Sequence, residues 1–154
     1  MDITDLITSD AVIPTLRAPS KKQALQELAR KASELTGIEA REIFDVLLER
    51  ERLGTTGVGH GIAIPHGKLA KLDRLYGVFA RMEQPIDFDS IDDEPVDLLF
   101  LLLAPESAGA DHLKALARVS RLLRDRTVCN KLRGCESRDA IYALFTDTTA
   151  SHAA

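Results

Sequence analysis

The chain has 154 residues, 45% of them apolar and 29% charged, with a net charge of -4 and an isoelectric point near 5.6. That length can bury a real core in one domain, and the acidic balance argues against a nucleic-acid binder, because phosphate backbones reward basic surfaces. The longest apolar run, Leu98 to Ala104, is far too short to cross a bilayer, so no membrane insertion is expected and any membrane role works through a partner.

The N-terminus has no basic segment followed by an apolar one, so no secretory signal is expected. Cys129 and Cys135 lack the C-x-x-C spacing of a redox or zinc site and read as thiols of a reducing cytoplasm.

The first expected element is a strand over Val12–Leu16. Pro14 places it at a sheet edge, because a central strand would lose a ladder hydrogen bond there. Ser20-Lys21-Lys22-Gln23 has the form of a capping box, and Leu25, Leu28, Ala32 and Leu35 follow at helical spacing until Gly37. A second helix spans about Glu39 to Arg52, with Ile43, Phe44, Leu47 and Leu48 as its apolar stripe and Gly54 beyond its end. Its last turn, Glu49-Arg50-Glu51-Arg52, sets two arginines where the helix dipole favours cations. The helical wheel alone does not choose which of them turns inward.

A loop over 54–59 leads to the most informative stretch, Gly57-Val58-Gly59-His60-Gly61-Ile62-Ala63-Ile64-Pro65-His66-Gly67-Lys68. Ile62–Ile64 reads as a short strand that Pro65 terminates. Gly67 permits a sharp turn. His66 is therefore expected on a constrained turn at a strand end, displayed for chemistry on its ring.

Leu75–Met82 alternates as a strand, with Tyr76, Val78, Ala80 and Met82 on one face, and Ile86–Phe88 adds a short extended piece. Asp89–Pro95 holds four acidic residues and reads as a solvated turn. Val96–Ala104 is the expected central strand, apolar on both faces, stopped by Pro105, with a loop over 106–110. Asp111 is the expected N-cap of a helix to about Asp125, with Leu113, Leu116, Ser120 and Leu123 inward and His112 in the first turn. Shorter helices follow at Thr127–Arg133 and Ser137–Phe145. The reading is an α/β fold: a single three-layer domain over residues 1–154, a mixed central sheet with helices on both faces, a core at about 5–146 and a frayed tail over 147–154.

A neutral histidine nitrogen is a competent nucleophile. Attack on phosphorus gives a phosphoramidate that passes its group onward, and the transition state needs donors for three equatorial oxygens. His112 at a helix start and an arginine from the 49–52 helix end are the candidate donors. A metal site built from His60, His66, His112 and Asp111 is a second reading, but the spacing fits no compact zinc motif. The run Gly61…Gly67-Lys68-Leu69 misses the P-loop spacing and its Ser/Thr. Gly57-x-Gly59-x-Gly61 misses the dinucleotide fingerprint, and there is no G-x-S-x-G.

Arg50-Glu51, Thr56-Gly57-Val58-Gly59, Gly61-Ile62-Ala63-Ile64-Pro65-His66-Gly67-Lys68 and Asp111-His112-Leu113-Lys114 together resemble the IIA domains of the bacterial phosphoenolpyruvate-dependent phosphotransferase system. Within that system the chain is similar to the mannitol/fructose family and, above all, to its nitrogen-regulatory branch. The resemblance covers roughly residues 5–146. It implies a phosphotransferase component with no small-molecule turnover of its own, no cofactor and no metal. It implies that His66 is the phosphoacceptor, a candidate tele-phosphohistidine, although the choice of ring nitrogen stays open. It also implies that Arg50 and His112 flank the phosphoryl group. The implied donor is a histidine-phosphorylated, HPr-like carrier of the nitrogen-branch type, and the implied targets are regulated proteins such as sensor kinases or potassium transporters. His60 departs from the family, which more often has asparagine or another polar residue there. Ile62, Ile64 and Leu69 are the expected apolar docking rim around His66. The rival within the family is a sugar-transport IIA subunit that passes phosphate to a IIB domain and on to fructose or mannitol. A pure binding module, with His66 as a charge switch, is the reading from another class.

Overall fold

The computed structural model describes residues 2–153, with side chains through Asp147. The elements run α1 (Ile3–Leu6), β1 (Val12–Leu16), α2 (Lys21–Thr36), α3 (Ala40–Arg52), β2 (Gly57–Gly59), β3 (Ile62–Ala63), β4 (His66–Leu69), β5 (Tyr76–Ile86), β6 (Val96–Pro105), α4 (Ala110–Arg124), α5 (Arg126–Gly134) and α6 (Arg138–Ala153). The 147–154 stretch, expected to fray, is helical as far as Ala153, and Ala154 lies outside the described residues.

The sheet has six strands in the order β1-β5-β6-β3-β2, with β4 also paired to β6. β5 and β6 are antiparallel, while β1 pairs parallel with β5, and β3 and β4 pair parallel with β6. The sheet is therefore mixed, and Pro14 does sit in an edge strand. Helices α2 and α3 pack together against β5 and β4, whereas α4 and α6 lie against β6 and β1. From Leu98 to Ala104 every residue of β6 is fully buried. Burying one such leucine stabilises the fold by about 1.5–3 kcal/mol, so this strand dominates the core. Phe79, Phe100 and Phe145 meet edge to face or tilted, with Phe145 5.1 Å from Phe79 and 6.1 Å from Phe100 between ring centroids, which fastens α6 onto the sheet.

Local signals explain the α2 boundaries. Ser20 Oγ accepts from the Gln23 amide at 3.3 Å, and Gly37 takes φ +77° as the C-cap. The Gln23 side chain meets the Ser20 hydroxyl instead of the backbone, so only half of the capping box forms.

Four expectations change. The loop over 54–59 contains a strand, β2, because Gly57–Gly59 pairs antiparallel with β3. The turn between them, His60-Gly61, has φ of +57° and +81°, values that suit a two-residue hairpin of the primed type. β5 runs on to Ile86, with an irregular register between Arg81 and Ile86 where Pro85 donates no bond. Helix α4 starts two residues earlier than expected: its N-cap is Gly109 at φ +56°, and Asp111 lies inside the first turn with no capping bond. Its inward face is His112, Ala115, Val119, Leu122 and Leu123, while Leu113 is 69% exposed. The small Ala115 and Val119 let the helix approach the sheet, a stripe that counting leucines conceals.

Candidate functional site

Pro65 ends β3 as its chemistry requires, but the long strand β6 resumes pairing at once. The Pro65 carbonyl accepts from the Leu102 amide at 2.9 Å, and His66 and Gly67 pair with Leu102 and Leu103. His66 thus opens a strand instead of standing on a turn. Gly67 is required for a different reason from the one expected: a Cβ there would lie 2.5 Å from Val46 Cγ1. Its bareness lets β4 approach α3, and that approach brings the end of α3 beside the histidine.

The His66 ring is held at both nitrogens. Nδ1 lies 2.9 Å from the Ile64 carbonyl oxygen. A carbonyl only accepts, so Nδ1 carries the proton and Nε2 presents its lone pair. Arg50 Nε donates to that Nε2 at 3.2 Å, and Arg50 Nη1 donates to the Gly54 carbonyl at 2.9 Å. Arg50 is the inward arginine, and Arg52 is exposed on the rim of the same cavity. Burial pushes the His66 pKa down, with the Arg50 charge adding to it against the opposing Ile64 carbonyl and Glu51. The ring is therefore neutral at pH 7.

His112 arrives from the first turn of α4. Its ring centroid is 5.7 Å from that of His66, with the planes at 61°. It is buried, and its Nε2 has no hydrogen-bond partner among the described residues. Burial lowers its pKa, with help from His66 and Lys68. A buried polar nitrogen without a partner is a costly arrangement that an incoming oxygen would relieve.

Sequence reasoning gave no role to Glu51. Its carboxylate is buried, accepts from the Thr56 amide at 3.0 Å and the Thr56 hydroxyl at 2.5 Å, and meets Lys21 Nζ at 3.0 Å. The Thr56 carbonyl accepts from the Ile64 amide at 3.0 Å, and Ile64 in turn holds His66. This relay fixes the loop that Arg50 caps. The signal was present in the wheel: Glu51 falls four residues after Leu47, on the buried stripe.

The site opens into a cavity of about 790 Å³ lined by Val46, Arg50, His66, His112, Leu113 and Leu116, among others. The apolar rim is Leu113 with Leu53, which is 86% exposed. Ile62, Ile64 and Leu69 are core residues, at 2%, 5% and 4% exposure. The expected rim was wrong because those side chains point into the layers between sheet and helices. His60 lines a different cavity from His66 and His112, so the ligand set weighed for a metal is not assembled. Among the described residues no group of three or more His, Cys, Asp or Glu is placed to hold a metal.

Comparison with known proteins identifies the family. Residues 5–148 match the family described as phosphoenolpyruvate-dependent sugar phosphotransferase system, EIIA 2. The chain belongs to that family and is a phosphoryl-transfer component working with a phosphocarrier partner. A nitrogen regulatory protein of Bradyrhizobium diazoefficiens is 62% identical over 94% of this chain and 95% of its own length. The crystal structure of the nitrogen regulatory protein IIA-Ntr from Neisseria meningitidis superposes with a TM-score of 0.88 at 30% identity, covering 93% of this chain and 98% of the other. A fructose-specific EIIA component from Haloferax volcanii is 40% identical over 96% of this chain and 98% of its own length. Among the described residues no helix is long and apolar enough to cross a membrane.

Proposed function

We propose that this chain is a nitrogen-regulatory enzyme IIA acting in the cytoplasm as one domain, that His66 is its phosphoacceptor, and that Arg50 and His112 hold the transferred group. The 62% identity to a nitrogen regulatory protein favours this over the sugar-transport reading. The single observation that carries the site is the 2.9 Å contact of Nδ1 with the Ile64 carbonyl, which keeps the proton on Nδ1 and leaves the Nε2 lone pair as the nucleophile once Arg50 turns to the phosphoryl group.

In this mechanism Nε2 attacks the phosphorus of a phosphohistidine on an HPr-like carrier of the nitrogen-branch type. The donor N–P bond breaks, its electron pair returns to the donor ring, and a new N–P bond forms at Nε2, giving the tele isomer. Arg50 moves its Nε–H from the ring nitrogen to a phosphoryl oxygen, a charge-assisted bond stronger than the one it leaves. His112 meets a second oxygen. The product carries a dianion on a face rimmed by Leu53 and Leu113, which changes what can dock there by charge and desolvation. Sensor kinases and potassium transporters are the proposed class of regulated partner.

The test is labelling by phosphoenolpyruvate, enzyme I and carrier. Acid-labile, alkali-stable label is expected on the native protein and none on His66→Ala. Equal label on both overturns the acceptor assignment, and onward transfer from this protein to fructose or mannitol in an extract decides for the sugar-transport rival.

A further inference from the structure

Behind β3, away from His66, lies a second cavity of about 410 Å³. Its floor is apolar, made by Ile62, Ile64 and Leu123, and its walls carry Arg124, Arg126 and Arg133. No carboxylate lines it, although the chain as a whole is acidic. Arg133 is already neutralised from outside the cavity: Asp97 takes its Nε at 2.7 Å and its Nη2 at 3.0 Å. Arg124 and Arg126 have no acidic partner among the described residues.

The cavity wall is built, not incidental. Arg133 Nη2 also donates to the His60 carbonyl at 2.7 Å, and the His60 amide donates to Asp92 Oδ2 at 2.9 Å. Those bonds hold the left-handed His60 turn at the mouth. Such a conformation persists only where its surroundings over-determine it.

We infer that this cavity, with Arg124 and Arg126 unpaired above an apolar floor, binds a small organic phosphomonoester. Two uncompensated guanidinium groups match a charge of about -1.5 to -2, which a phosphomonoester carries at pH 7 and a single carboxylate does not. Guanidinium forks suit phosphate oxygens in bidentate geometry. The apolar floor would be wasted on inorganic phosphate, and the volume lies in the range of small-ligand sites. The occupant would rest on Ile64, whose carbonyl holds the His66 ring, and on α4, which carries His112 at its other end.

The experiment is an amide-resolved NMR titration of the full chain with AMP, glucose 6-phosphate and phenyl phosphate, and with adenosine and inorganic phosphate as arms. At least one phosphomonoester is expected to give saturable shifts at Val58–Ile62 and Ser120–Cys129. Its affinity should fall at least tenfold in the Arg124→Ala/Arg126→Ala double variant and stay unchanged in His66→Ala, which removes the acceptor and so separates this site from the front one. Thermal unfolding of the double variant checks that it is folded. The inference is overturned if none of the three esters saturates by 10 mM, if the double variant binds as tightly, or if the shifts map to the Arg50–His66 cavity. Equal binding by adenosine removes the phosphate from the claim, and equal binding by inorganic phosphate removes the organic body; either overturns it.

Discussion

His66 is poised by opposing neighbours. Burial and the Arg50 guanidinium keep its pKa below the ordinary value, and burial does the same for His112. Between those depressed values and about 6.5 in the unfolded chain, the unfolded state binds more protons. Stability therefore rises with pH across that window and is lost as pH falls through it. NMR titration of the His66 ring should give a midpoint below that of a free imidazole, and an ordinary or raised midpoint would contradict the described environment. Arg50 makes two directed bonds from separate nitrogens, a fork that lysine lacks. Arg50→Ala should slow phosphoryl acceptance about 10²-fold, and Arg50→Lys should recover only part of that, with little change in thermal stability for either. Rapid-quench labelling measures both. The conspicuous placing of His66 was legible in its Ile-Ala-Ile-Pro setting, and Arg50 was singled out over Arg52 through resemblance alone, because the wheel left the two equal. Glu51 was legible in the stripe and overlooked, since a carboxylate on a buried face is read as an exception before its partners are known.

At the scale of elements, the site depends on how closely α3 approaches β4. Gly67→Ala would drive Val46 aside and should cost about 1–3 kcal/mol, measured by denaturant unfolding. Val46→Ala added to it should restore stability and phosphoryl acceptance together. If Gly67→Ala is neutral, the close approach is not what the glycine is for. Strand β6 and helices α2 and α3 could be read from the chain because each carries its own periodicity and punctuation. Strand β2 could not: the two glycines of Gly57-Val58-Gly59 leave it little strand propensity, and it exists because β3 offers it a partner. The same holds for β4, where pairing with β6 overrides the turn that Pro65 and Gly67 suggest. The His60-Gly61 hairpin also accounts for the departure at His60. The position needs a positive φ, which asparagine and histidine both tolerate, so the exchange is conformational and sits away from the His66 ring.

Over the whole molecule, one face concentrates the chemistry and the exposed leucines. Leu53 and Leu113 are, with Ile91, the most exposed large apolar side chains among the described residues, and these two border the His66 cavity, which marks a surface built for contact. Leu53→Asp or Leu113→Asp should raise the KM for the phosphorylated carrier roughly tenfold, leave kcat near native, and change stability by no more than about 0.5 kcal/mol. Steady-state transfer kinetics beside a thermal melt distinguish this from a folding defect. The parallel grip of β6 on both β3 and β4, across the Pro65 gap, has a further meaning for encounter. The proposed acceptor, His66, has its backbone paired to the most buried strand and its ring held by Ile64 and Arg50, so the ring's orientation is set when the chain folds. An encounter with a carrier then still costs the freedom of bringing two molecules together, but not the further cost of ordering this imidazole, which folding has already met.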